Sequence, residues 1–449
     1  MPDRLDESVL NVSSAEGIDA RLLREAGDRG REAHALAERL YPLCRSLSGD
    51  GVRRTLQLLQ EVIPLKIHEV PTGTRAYDWI VPNEWNVKDA YVLDGRGQRV
   101  IDFRVNNLHL AGYSMPIDAT VDRANLLEHV FSDPDHPDCI PYRHLYHKEG
   151  WGFCVSERQK RELNEPEYRV RIDARLEPGN LTYGEFLLPG RDPGEILIST
   201  HTCHPSLCND NLSGIVTAAL LARDVALAGT RFGFRFVFGP ATLGPLVWLS
   251  RNEHVVPHIR GGFVVASVGD AGPFTYIRSR RASAPIDRAI AHVFTHATSN
   301  GGAMREFTPF GYDQRQYCSP GFNLPMGCFM RTPHGEYPEY HTSADNLQLV
   351  TAAALGESWR IMRLALDILD EDCVFLNVLP WGEPRLDARG LFADAKRLGL
   401  FWILNFSDGH HSLLDIAERA HMPFWNLREG ARRLKECGLL TLANSNVID

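Results

Sequence analysis

An apolar run, GEILIST (Gly194–Thr200), leads into the loop HTCHPSLCNDNLSG (His201–Gly214) and then into IVTAALLARDVALAG (Ile215–Gly229), which has an apolar helical pattern. This strand–loop–helix unit constrains the chain more than any other stretch. A buried strand followed at once by a helix belongs to an α/β sheet, where ligands gather beyond the carboxyl ends of the strands. The loop at that place carries His201, His204, Cys203, Cys208, Asp210, Asn209 and Asn211. By residue type it reads as a metal site, a redox pair or a polar turn.

The same rhythm recurs downstream. FGFRFVFGPATLG (Phe232–Gly244) predicts a strand and loop, PLVWLSRNEH (Pro245–His254) a helix, and GGFVVASVGD (Gly261–Asp270) a strand ending at Asp270. Helices are predicted over Ile286–Thr298 and Leu349–Leu369, separated by the polar loop TPHGEYPEYHTSADN (Thr332–Asn346). The expected architecture is α/β, a mainly parallel sheet flanked by helices. Two other textures interrupt it. Helical spacing runs from about Ala20 to Val62, after which short strands alternate with Pro- and Gly-containing turns up to Ile172, DGRGQ (Asp94–Gln98) reading as a hairpin turn. Beyond Pro380, HSLLDIAERAHMPFWNLREGARRLKECGLL (His411–Leu440) has a helix–turn–helix cadence. A chain of 449 residues exceeds a single core. The expected division is a discontinuous α/β core (20–62 and 173–375), an inserted β-rich lid domain (63–172) and a winged helix-turn-helix domain (376–449).

A formal net charge of −9 offers no general footprint for nucleic acid or an anionic membrane, and no apolar run is long enough to be expected to span a bilayer. The nine cysteines are odd in number and lack framework spacing. With a polar, acidic N-terminus unlike a signal peptide, they predict a reduced, cytoplasmic chain. Cys203 and Cys208 are expected to pack as small buried side chains.

A catalytic metal centre needs nitrogen and oxygen ligands converging from rigid elements, with one position left for water. His201, His204 and Asp210 share one loop, Asp270 ends a strand, and His341 lies in a later loop. The segment HPSLCNDNLSGIVTAALLA resembles the metal loop of co-catalytic zinc aminopeptidases of the bacterial leucyl aminopeptidase type, where a histidine precedes Asp-Asn-x-Ser-Gly. From Leu40 to the C-terminus, DWIVPNEWNVKDAYVLD, WGFC, CHPS, NDNLSG, CSPGFNLP and EYHTSADN resemble a narrower group, bacterial aminopeptidase-like proteins with a β-rich insert and a C-terminal winged helix. The resemblance implies zinc, one ion or two, held by His204, Asp210, Asp270 and His341, with Asp210 as the bridge and His201 behind the ligands, toward substrate. Iron(II) and manganese(II) suit the same donors.

One departure matters. In those enzymes the next strand ends in a Glu-Glu pair, the first glutamate a general base and the second a ligand. Here that place holds Pro240, Ala241 and Thr242, none of which takes a proton from water at neutral pH. Three readings remain: Glu339 or Glu336, neighbours of His341, act as base; the metal alone acidifies water; or the site binds a ligand without catalysis. The leading expectation is a metal-dependent hydrolase of an amide or peptide-like bond in a small molecule, in a specialised biosynthetic pathway. The alternative is a metabolite sensor signalling through the winged helix. For substrate contacts, Trp85 and Trp151 of the insert, Arg280 in the run after Asp270, and Asp313 and Arg315 in DQRQYCSPGFNLP join His201 as candidates. Trp79 and Phe153 read as core of the insert. The expected partner is the small-molecule or peptide-like substrate, with no membrane, nucleic acid disfavoured, and homo-oligomers through the winged helix or lid.

Overall fold

The structure is a computed structural model that describes residues 20–146, 148–299 and 301–443. Among these the chain divides into two compact units. The larger comprises residues 27–282 and 304–359; the smaller comprises 20–26, 283–303 and 360–443.

The larger unit is built on a mixed sheet. Its strands are Lys66–Pro71 (β1), Asn180–Leu188 (β2), Glu195–His201 (β3), Gly233–Gly239 (β4), Ile259–Val265 (β5), Phe274–Ile277 (β6) and Met326–Met330 (β7). They lie in the order β1-β2-β4-β3-β5-β7-β6, and an eighth strand, Gly302–Arg305, straddles the division between the units. The pairings β4–β3, β3–β5 and β5–β7 are parallel, whereas β1–β2, β2–β4 and β6–β7 are antiparallel. The expectation of a mainly parallel sheet thus holds for its centre, and antiparallel strands flank it. The central strands are buried on both faces, which is why they read as continuous apolar runs rather than alternating ones.

Two predicted boundaries move. Lys66–Pro71, expected in the insert, pairs with β2 as the edge of the main sheet. The insert's own four-stranded sheet is formed by Glu84–Leu93, Arg99–Asp102, Ile117–Asp122 and Glu167–Glu177, so it runs past residue 172. In the last of these strands Tyr168, Val170, Ile172 and Ala174 point inward while Arg169 and Arg171 face solvent, the alternation of a half-covered antiparallel sheet. The predicted turn at Asp94–Gln98 joins the first two, with Gly97 at φ 78°. Phe153 is buried as expected, but Trp79 is exposed.

Among the described residues one helical segment, Cys208–Ala228, is long and apolar enough to cross a membrane, and it is mostly buried inside the larger unit. All nine cysteines are free, and Cys203 and Cys208 are buried.

The smaller unit carries a three-stranded sheet in which Val374–Asn377 lies between Asp408–Ser412 and Leu440–Leu442. Its first strand therefore begins just before the predicted boundary at 376. Helices Leu413–Ala420 and Phe424–Glu436 follow one another across a short turn. Ser412 starts the first through a reciprocal capping box with Asp415.

Candidate metal centre

Strand β3 ends at His201, and the loop after it folds back so that Asp210 meets that histidine. His201 Nε2 donates to Asp210 Oδ1 at 2.8 Å, and both side chains are 1% exposed. His204 Nε2 lies 3.8 Å from Asp210 Oδ2. One donor atom from each of His201, His204 and Asp210 falls within 4.8 Å of the others. From the later loop, His341 Nε2 donates to Asp210 Oδ2 at 3.0 Å. His341 has φ 55°, and the Tyr142 N–H donates to its carbonyl at 2.7 Å. A non-glycine residue there is uncommon and needs surroundings that hold it.

Four side chains in the neighbourhood hold the loop. Asp345 is 0% exposed and accepts the backbone N–H groups of Cys208, Asn209 and Asp210 at 3.0, 2.5 and 2.9 Å. Asn211 Nδ2 donates to Thr200 Oγ1 and the His201 carbonyl, and its Oδ1 accepts the Ser267 N–H. Asn209 Nδ2 donates to Asp270 Oδ2 while its Oδ1 accepts the Gly269 N–H. Arg45, buried, donates from Nε to the His204 carbonyl at 3.0 Å. Aromatic rings wall the donors: Tyr142 stands 5.1 Å from the rings of both His204 and His341, Tyr312 stacks on His201 at 5.7 Å, and Tyr340 stacks on His341 at 3.9 Å.

The electrostatics suit a cation. Burial alone would raise Asp210, but His204, His201 and His341 outweigh it and hold the carboxyl well below its usual range, so it is ionised. Burial pushes His204 well below the ordinary histidine value, leaving a neutral imidazole able to donate a lone pair. For His201 the burial penalty is overcome by its hydrogen bond to Asp210, and its value rises. Neutral imidazole with ionised carboxylate is a donor set that zinc and similar divalent metals take. The residues present therefore fit a metal.

The structure rearranges several predicted roles. His204, Asp210 and His341 converge as expected. His201, predicted toward substrate, is a member of the donor cluster, because the turn after β3 brings Asp210 back onto it. Asp270, predicted as a ligand, stands apart. Its strand ends at Val265, and its carboxylate is occupied by Asn209 Nδ2, the Gly272 N–H and the Thr332 hydroxyl at 2.9, 2.7 and 2.7 Å. Neither candidate base is among the clustered donors. Glu336 is an exposed partner in a bidentate ion pair with Arg305, which holds its value down. Glu339 is half-buried in a turn where its carbonyl accepts from Thr342, outside the cluster. Arg280 is exposed and donates to Asn323. Trp85 is buried with Nε1 donating to the Ser114 carbonyl at 2.9 Å, a core residue of the insert. Trp151 stacks on His129 at 3.8 Å within the insert.

Asp313 lies near enough to the donors for the charges of His201 and Asp210 to act on it. Asp313 is 1% exposed, and neither carboxylate oxygen has a hydrogen-bond partner. Burial pushes its pKa up to about 6, opposed by the charges of His201 and Arg315 and reinforced by Asp210. Arg315 is half-buried and donates to the Gly311 carbonyl. The sequence reading missed Asp345, although it sits four residues after His341 in a quoted motif. An acidic residue just past a candidate ligand was the available signal.

Residues 34–372 match the family model described as a domain of unknown function, DUF4910, and residues 373–442 match a winged helix-turn-helix model. A Clostridium acetobutylicum protein, whose name joins polysaccharide biosynthesis with an aminopeptidase-like domain, is 41% identical over 430 residues, covering 94% of this chain and 99% of its own. A crystal structure from the same organism, of a candidate peptidase, superposes with a TM-score of 0.91 at 41% identity, covering 95% of this chain and 99% of that one. The zinc aminopeptidase of Bacillus subtilis superposes with a TM-score of 0.55 at 12% identity, covering 76% of this chain and 95% of that one. At that identity the likeness concerns fold alone. The chain belongs to the DUF4910 family, an aminopeptidase-like α/β domain followed by a winged helix-turn-helix.

Proposed function

We propose that this protein is a metal-dependent hydrolase that cleaves an amide or peptide-like bond in a small molecule. The observation that carries the reading is the convergence of His201, His204, His341 and ionised Asp210 where β3 delivers its loop, at the carboxyl end of the parallel centre of the sheet. A divalent metal in that donor set supplies Lewis acidity toward a carbonyl oxygen and toward water. The chain's own residues do the rest. Asp345, Asn209 and Asn211 hold the loop rigid so that the donors keep their spacing. Tyr142, Tyr312 and Tyr340 line the donors with rings. The Pro240–Thr242 turn offers no acid or base, so true aminopeptidase chemistry with a glutamate base is not the expected activity. The relative's name motivates an amide-bearing building block of a polysaccharide as the substrate class, with the reaction in the cytoplasm.

The test is metal content per chain in protein purified without added metal, for wild type and for His201→Ala and Asp210→Ala. The expected result is one or two zinc ions per wild-type chain, fewer in both variants, and hydrolysis of amino-acyl or N-acyl sugar amides that a chelator abolishes. A wild-type protein that stays metal-free after zinc is added back would rule the hydrolase out and favour the ligand-binding sensor.

A further inference from the structure

We infer that Asp313 supplies the second carboxylate of the metal centre, taking the part of the acidic pair that the Pro240–Thr242 turn lacks. This rests on the metal reading above. Every other buried carboxylate near the donors has its hydrogen bonds filled: Asp210 by His201 and His341, Asp345 by three backbone N–H groups, and Asp270 by Asn209, Gly272 and Thr332. Asp313 alone among these four has none on either oxygen, though it is 1% exposed. An ionised carboxylate without donors is among the costliest groups to bury, and it persists where a cation or a charged group answers it. Arg315, the nearest cation in sequence, acts on Asp313 only through space, because its Nη1 donates to the Gly311 carbonyl.

Position and charge point the same way. Tyr312, the preceding residue, stacks on His201, and the charges of His201 and Asp210 both act on Asp313. Imidazoles that ligate a metal do so uncharged, so His201, His204, His341 and Asp210 around a divalent cation would leave a buried net positive charge. Asp313 brings that sum to zero. The acidic group therefore comes from the turn before Gln314–Tyr317 rather than from the end of β4.

The test is a zinc titration of the metal-stripped, full-length protein by calorimetry, with thermal unfolding in the presence and absence of zinc. Wild type is compared with Asp313→Asn and with Glu336→Gln as a surface control. The expected result is a zinc affinity at least ~10-fold weaker in Asp313→Asn. Without metal, that variant melts at or above the wild-type temperature, because a buried carboxylate without hydrogen-bond donors is gone. Asp313→Glu, which keeps the charge, recovers part of the affinity. Zinc affinity of Asp313→Asn equal to that of wild type overturns the inference and leaves the metal reading standing. A metal-free melting temperature below wild type also overturns it, since the carboxylate would then be serving the protein's own groups. If Asp313→Asn gives no folded protein, Asp313→Ser is read by the same criteria, and failure of both to fold overturns the inference. A wild-type protein that binds no zinc sinks the metal reading and this inference together.

Discussion

Replacing Asp345 with alanine tests the physical reasoning about the metal loop most directly. The wild-type carboxylate is fully buried and accepts three successive backbone N–H groups, those of Cys208, Asn209 and Asp210. Alanine leaves the Asn209 and Asp210 donors unpaired, while the Cys208 N–H keeps the Asp345 main-chain carbonyl at 3.1 Å. Each unsatisfied buried donor costs about 1–3 kcal/mol, and a hydrogen bond to a charged acceptor contributes about 1.5–3 kcal/mol. The sum does not add fully, because water entering the space left by the carboxyl group recovers part of it. Burial pushes the Asp345 carboxyl up to about 7 and no cation among the described residues faces it, so a net loss of about 2–4 kcal/mol is expected from the two orphaned donors. For a unit of this size that lowers the melting temperature by on the order of 10 °C. It leaves a protein of ordinary stability folded. Asp345→Asn keeps one acceptor oxygen and should lose about half as much. Zinc affinity should fall in the same order, since the segment that loosens carries Asp210 and adjoins His204. Thermal unfolding and zinc titration of the metal-stripped proteins measure both effects. A melting temperature within about 2 °C of wild type for Asp345→Ala would refute the reasoning, because it would correspond to no more than ~1 kcal/mol for two buried donors.

In the smaller unit, His292 is buried and its Nε2 accepts the Phe424 N–H at 2.9 Å, which only a neutral ring can do. Burial, with help from His296 and Arg288, lowers its pKa to about 3. The unfolded chain therefore takes up the proton first, near pH 6.5. The stabilisation is whole above that pH and is lost as pH falls toward 3, at up to ~1.4 kcal/mol per pH unit. His292→Gln should flatten this slope in denaturant titrations between pH 6.5 and 4. The arginines of Phe424–Glu436 are answered by the chain's own acids: Arg428 by Glu371, Arg432 by Glu429 and Glu436, and Arg433 by Asp394. Duplex DNA binding measured by fluorescence anisotropy should be undetectable at physiological salt, and a steep salt-dependent affinity would contradict this. Glu84 forms a bidentate pair with Arg53, with Nη1–Oε1 at 2.7 Å, and also accepts the Asn180 N–H, so its pKa falls to about 2. Glu84→Ala is expected to cost about 2–4 kcal/mol in urea unfolding, and a change under about 0.5 kcal/mol would count against the pair. Trp85→Phe, which removes the hydrogen bond to the Ser114 carbonyl, should cost about 1–2 kcal/mol and leave zinc content unchanged.

The strand–loop–helix reading around His201 came from local order along the chain, and such order survives folding: an apolar run, a polar break and an apolar helix occupy the predicted places. The helix–turn–helix cadence of the C-terminal segment was legible for the same reason. His204, Asp210 and His341 were nameable as candidates because residues able to ligate a metal are few in kind and these sit in loops. What periodicity could not show is which polar side chain faces which. Asp270 and Asp313 are both buried aspartates near strand or helix ends, yet one has every acceptor filled and the other none. That difference depends on Gly272 in Asp270's own turn and on Asn209 and Thr332, which reach it from two distant segments. Likewise Glu336 stood beside His341 in sequence, but the ion pair with Arg305 holds it at the surface, and Trp85 finds its partner in Ser114 inside the insert. The amino-acid order by itself determined where strands, helices and ligand-rich loops would lie, because those follow from spacing and residue type. Only the tertiary structure decided which carboxylates remain without hydrogen bonds, because that depends on donors brought together from distant parts of the chain.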